Sequence, residues 1–136
     1  MTCLDTSVLI DLCKSRRGEA SRAARAEVAR RARAGETLAT TRLNVAELLV
    51  GVARSEDAVR EQERVDRLLG PLTILEFDAR AAEAFGRIVG HLLRRGRPIG
   101  DMDALIAAVC LSSGHRLLTG NPRHFTDVPG LVVESC

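Results

Sequence analysis

The sequence predicts an α/β fold, a three-layer α/β/α sandwich around a mostly parallel central sheet of four to five strands. Two observations carry this. Short apolar runs alternate with longer stretches of helical periodicity along the whole chain, the pattern of strand–helix–strand units that build parallel sheets. In the opening run, residues 2–5, the neighbours Cys3 and Leu4 are both apolar, as befits a central strand covered on both faces.

In chain order, residues 6–14 (TSVLIDLCK) follow the first strand as a helix, with Val8, Leu9 and Ile10 read as core. An Ala/Arg/Glu segment, about residues 19–34, is a helix stopped by Gly35. TLATT (37–41) reads as a strand. In RLNVAELLVGVAR (42–54), Val45, Leu48, Leu49 and Val52 fall at i, i+3, i+4 and i+7, one side of a helix. Ser55 with Glu56 and Asp57 opens a helix to Leu69, which Gly70-Pro71 breaks. LTILEF (72–77) is a strand, and Asp78 caps a helix through about Leu93. RRGRPIGD is a basic loop, MDALIAAVCLSS (102–113) a helix ended by Gly114, HRLLTGN (115–121) a strand entering a turn, and LVVES (131–135) a last strand.

With 136 residues, the chain is expected to form one domain with a single core. Its 46% hydrophobic and 28% charged content excludes a disordered polymer. The only aromatic residues are Phe77, Phe85 and Phe125, so base stacking on aromatic platforms is not its main route to nucleic acid. Lys14 is the only lysine among 20 Lys and Arg residues, and the planar fork of the arginines suits phosphate. Cys3, Cys13, Cys110 and Cys136 lack metal-ligand spacing. No apolar run nears the ~20 residues of a membrane span, and a reduced cytoplasmic compartment is expected.

Asp5 poses the central problem, because an ionised carboxylate at the end of an apolar strand costs several kcal/mol unless its charge is compensated. In open parallel sheets the working crevice lies beyond the carboxyl ends of the strands, where Asp5 stands. Glu47 sits early in the helix after the second strand, Asp101 and Asp103 begin the helix before HRLLTGN, and Asn121 ends that strand. Acids gathered on one rim repel and need a cation, and hard Mg²⁺ or Mn²⁺ takes carboxylate oxygens. Asp103 shares a face with Ile106, Ala107 and Cys110 and points inward, leaving Asp101 auxiliary. Each residue has an ordinary alternative: Asp5 and Asp101 as helix caps, Glu47 as a solvated acid, Asn121 as a turn residue. Other chemistries lack their motifs: GxxxxGK[ST], GxGxxG and GxSxG are absent. His91, His115 and His124 are scattered, and Ser7 has no evident His partner.

The segments LDTSVLIDL, NVAELLVG, DALIAAVCLSSGHRLLTGNPRHF and VPGLVVE together resemble the PIN domain, specifically the VapC-type toxins of bacterial toxin–antitoxin pairs. The resemblance spans nearly the whole chain and is least distinctive over residues 14–36. It implies a metal-dependent endoribonuclease with Asp5, Glu47 and Asp103 as its acids. Asn121 stands where other members carry a fourth Asp. By the same resemblance Thr6 orients Asp5 or a water, and Asn44 and Thr119 support the ligands. The implied reaction is RNA hydrolysis leaving a 5′-phosphate and a 3′-hydroxyl. The implied partners are a cognate VapB-type antitoxin, a tRNA or rRNA substrate and a second copy of the chain in a homodimer.

An acidic cleft repels RNA, so affinity must come from cations at the rim: Arg42, Arg94, Arg95, Arg97 and Arg123 are the candidates. Arg22, Arg25, Arg30, Arg31 and Arg33 read as a solvated face or a contact surface. Two alternatives stand: a housekeeping PIN nuclease of rRNA or tRNA processing, and a non-catalytic interaction module. An overlapping upstream reading frame speaks for the toxin, and chelator-sensitive cleavage speaks against the module.

Overall fold

The structure is a computed structural model that describes residues 1–14 and 18–136. Five strands, β1 (Thr2–Leu4), β2 (Leu38–Thr41), β3 (Thr73–Leu75), β4 (Arg116–Thr119) and β5 (Val133–Ser135), form one sheet. Their order is β3-β2-β1-β4-β5, and every pairing is parallel. The helices are α1 (Thr6–Cys13), α2 (Glu19–Arg33), α3 (Arg42–Arg54), α4 (Ala58–Leu69), α5 (Ala79–Arg94) and α6 (Asp101–Ser112), with a 3₁₀ turn at Pro122–His124.

Successive strand residues face opposite sides of the sheet, and this divides the core in two. Cys3 and Leu117 pack with Ile88 and Leu92 of α5 and Ile106 and Cys110 of α6. Leu4 and Leu118 pack with Val8 and Leu9 of α1, Ala24 of α2, Leu48 of α3 and Val65 of α4. Helices therefore cover both faces, giving the three layers. From β1 the chain steps outward to β2 and β3, then returns to the other side of β1 for β4 and β5. The strand order thus reverses between β1 and β4, the place where such sheets open a crevice.

Several expectations are corrected. Ile10 and Leu49 are exposed by 42% and 41%. The inner side of α3 is narrower than the apolar spacing implies, and Asn44 shares it with Val45 and Leu48. The strand over 72–77 shortens to Thr73–Leu75, since Glu76 and Phe77 are exposed. Asp57 rather than Ser55 caps α4, its carboxylate accepting from the Arg60 amide at 3.1 Å. Arg31 is buried, not solvated. Its guanidinium donates to Glu27, to the Thr2 hydroxyl at 2.8 Å and to Glu134, tying α2 to β1 and β5. Arg25 donates to the carbonyls of Leu12 and Lys14 at the end of α1. No helix among the described residues is long and apolar enough to cross a membrane.

Candidate active site

Asp5 follows β1 directly and occupies the N-cap position of α1, yet its side chain caps nothing. The carboxylate instead accepts from Thr119 Oγ1 at 2.7 Å, Asn44 Nδ2 at 3.1 Å and Ser7 Oγ at 3.2 Å. Asp5 is only 7% exposed. All three donors are neutral, and among the described residues no Lys, Arg or His makes an ion pair with Asp5 or Glu47. A buried carboxylate so placed is solvated by hydrogen bonds but lacks a countercharge.

Asn44 holds this corner together. It is the third residue of α3, and Thr41 at the end of β2 caps that helix by accepting from the Asn44 amide at 3.1 Å. Asn44 Oδ1 in turn accepts from the Thr41 amide and hydroxyl. Both protons of Nδ2 are then committed, one to Asp5 and one to Thr6 Oγ1 at 2.9 Å. Every bond this buried amide can make is made. Thr6 Oγ1 passes its own proton to Glu47 Oε1 at 2.6 Å, so a chain of hydrogen bonds runs from Glu47 through Thr6 and Asn44 to Asp5.

On the other side, Thr119 at the end of β4 donates to Asp5 and accepts from the Asn121 amide at 3.0 Å. Ser7 accepts from the Gly120 amide at 2.8 Å, pinning the turn that carries Asn121 to α1. Asp103 is partly buried, and His124 Nδ1 lies 3.3 Å from its Oδ2. Burial pushes the Asp103 carboxyl above its ordinary value, the Asp5 charge adds to this, and His124 opposes it. Asp101 is exposed, and Gly100 rather than Asp101 is the N-cap of α6. Asn121 is exposed and reaches the network through its backbone.

Of the rim cations, Arg42 is paired with Glu76 and Arg97 with Asp127. Arg94, Arg95 and Arg123 are exposed, and among the described residues they have no ion-pair partner. Arg123 lines a cleft with Asn121 and His124. Sequence reasoning passed over Ser7 and His124. The signal for Ser7 was its place two residues after Asp5, one short turn from the carboxylate. His124 gave no local signal, because Asp103 is 21 positions away.

The donors fit a hard divalent ion in kind: they are carboxylate oxygens, and the Asp5 carboxylate is buried with no cationic partner among the described residues. They are not gathered into a finished cage. Among the described residues no three Asp, Glu, His or Cys side chains are grouped closely enough to hold an ion as they stand. Like charges keep apart, with Glu47 on Thr6 and Asp103 on His124.

Known proteins carry the same architecture. The PIN domain family matches residues 2–131. Ribonuclease VapC2 of Rickettsia felis is 31% identical over 99 residues, spanning 73% of this chain and 74% of that protein. The tRNA(fMet)-specific endonuclease VapC of Shigella flexneri is 35% identical over 88 residues, spanning 65% and 67%. Among solved structures, VapBC2 from Rickettsia felis bound to promoter DNA superposes with a TM-score of 0.89 at 25% identity, covering 99% of this chain and 98% of that one. DNA-bound VapBC from Salmonella typhimurium gives 0.85 at 28% identity, with the same coverage. With a match over residues 2–131 and a switch point built around Asp5, this chain belongs to the PIN domain family.

Proposed function

We propose that the chain is a VapC-type endoribonuclease, the toxin of a type II toxin–antitoxin pair, which cuts RNA, stops translation and is silenced by a cognate VapB-type antitoxin. The observation that carries this is Asp5: buried, held by three neutral donors at the strand-order reversal, and without a countercharge. The names of the VapC relatives support RNA as substrate and, for the Shigella flexneri protein, a tRNA. The toxin–antitoxin complexes among the similar structures support the partner.

In this reading Asp5, Glu47 and Asp103 hold Mg²⁺ or Mn²⁺, with Asp101 and Asn121 auxiliary. When bound, such an ion activates water as nucleophile and neutralises charge developing at phosphorus. The chain's own residues set the geometry. Thr119, Asn44 and Ser7 fix the Asp5 carboxylate, Thr6 orients Glu47, and His124 faces Asp103. Arg94, Arg95 and Arg123 are free to meet phosphates, whereas Arg42 and Arg97 must first leave their carboxylates.

A groove of about 360 Å³ between α1, α3 and α4, lined by Ile10, Leu48 and Val52 with Glu47 on its edge, is the surface we assign to the antitoxin segment. Exposed Leu49 and Val50 on α3 and Leu93 on α5 support a homodimer. The four free thiols support a cytoplasmic protein. The test is cleavage of tRNA by the purified chain, abolished by a chelator and restored by Mg²⁺ or Mn²⁺. Cleavage that persists in excess chelator refutes the reading.

A further inference from the structure

The rim cations leave a shortfall. Two of the five are spent on Glu76 and Asp127, while the cleft itself is acidic. A polyanion held only there is repelled more than attracted, so further cations have to lie along its path.

They lie on α5. Arg80, Arg87 and Arg94 recur every seven residues, so all three fall on one side of the helix, and the first and last are about 20 Å apart along its axis. All three line an open groove of about 1140 Å³ that also touches Ser112 near the end of α6. Each is exposed, and among the described residues none of the three guanidiniums has a hydrogen-bond or ion-pair partner. Glu83 is the one acid lining the groove, against three guanidiniums and His91. Both ends of the row connect to the rim: Glu76, paired with the rim cation Arg42, lies four residues before Arg80, and a short loop leads from Arg94 to Asp101 and Asp103 at the start of α6.

We propose that the Arg80–Arg87–Arg94 face of α5 is a second RNA-binding surface, which grips the backbone of a folded substrate outside the segment being cut. The length of the row decides between ligands. A free phosphate engages one or two of these side chains, whereas only an extended polyanion uses all three and continues to the acids. Arginine forks match phosphate oxygens in pairs, and this mode reads shape and charge rather than sequence. The surface thereby selects folded RNA over short single strands. This inference rests on the ribonuclease reading above.

The test is an Arg80→Gln, Arg87→Gln double variant compared with the parent, both in an Asp5→Asn background that prevents turnover. Gln keeps helix propensity, and a thermal melt checks the fold. The probes are a tRNA transcript and a single-stranded RNA too short to span from Arg80 to Arg94. The expected result is about a tenfold or greater loss of tRNA affinity, with the slope of log affinity against log salt shallower by about two, and a clearly smaller loss on the short RNA. Unchanged tRNA affinity and slope overturn the inference, as do equal losses on both probes. A defect confined to binding an acidic protein partner overturns it as well. If the chain with Asp5 intact cuts tRNA while the double variant binds like the Asp5→Asn protein, this inference alone fails. If the chain with Asp5 intact neither binds nor cuts RNA, the ribonuclease reading fails with it.

Discussion

Thr119 Oγ1 donates to Asp5 Oδ2 at 2.7 Å, joining the carboxyl ends of two neighbouring strands at the point where the strand order reverses. The bond joins residues 114 positions apart, so it forms only once β1 and β4 pair. It couples completion of the sheet to the orientation of the buried acid.

Thr119→Val keeps the shape and removes the donor. It leaves the Asn121 amide without its acceptor, and stability should fall by about 1–2 kcal/mol. Cleavage should fall about 10- to 100-fold, the usual effect of losing a partner that orients a metal ligand. Denaturant melts and a tRNA cleavage assay measure the two effects separately. A full loss of stability with unimpaired cleavage contradicts the positioning role.

Asn44→Ala removes a buried amide whose donors and acceptor are all used. It weakens the cap of α3 and frees both Asp5 and Thr6. The expected cost is about 2–4 kcal/mol, the largest of any polar substitution around the acids. Urea midpoints compared across Asn44→Ala, Thr119→Val and Ser7→Ala give the ranking.

Gly120→Ala tests the approach of the Asn121 turn to α1. An added Cβ would stand 3.3 Å from Ser7 Oγ and 3.4 Å from Ser7 Cβ, closer than comfortable contact, so the turn or Ser7 must shift. Melting should change little, while cleavage drops severalfold because Ser7 and Thr119 no longer hold Asp5 together. Parent-like cleavage by Gly120→Ala would show that the turn yields without moving the acid.

Arg31→Met examines the tie between α2 and the sheet. Removing a buried cation that faces Glu27, Glu36 and Glu134 should cost about 3–5 kcal/mol near neutral pH. The pH dependence has a definite sign. Arg30 and then Arg31 hold the Glu27 carboxyl down to about 2 from 4.5. A lowered carboxylate adds stability above its ordinary value and loses it as pH falls toward the folded one. Arg30 stays in the variant and keeps its own part of this lowering, so the gap between parent and Arg31→Met should be full above pH 4.5 and shrink by the Arg31 share alone as pH falls toward about 2, as thermal melts across that range would record. A gap that widens with acid contradicts this.

The parallel sheet and its helices were legible because apolar spacing reports which side of an element is covered, and that pattern is local. Asp5 was legible for a related reason: a charge after Cys3 and Leu4 has no cheap place to go. Arg31 was not, because its partners come from positions 2, 27, 36 and 134, and a run of arginines looks alike whether buried or wet. Leu49 was misplaced because a residue at i+4 sits at the edge of a helical stripe, where neighbouring elements decide exposure. The partners of Glu47 and Asp103, Thr6 and His124, depend on folded distances that spacing does not encode.

Manganese binding followed by electron paramagnetic resonance, in the parent chain and in Asp5→Asn, tests the central claim most directly, since it needs no substrate. The uncompensated charge of Asp5 predicts a saturable Mn²⁺ site in the parent that is lost in the variant, while both proteins melt alike. A parent that binds no Mn²⁺, or an Asp5→Asn variant that binds it equally well, would contradict the account.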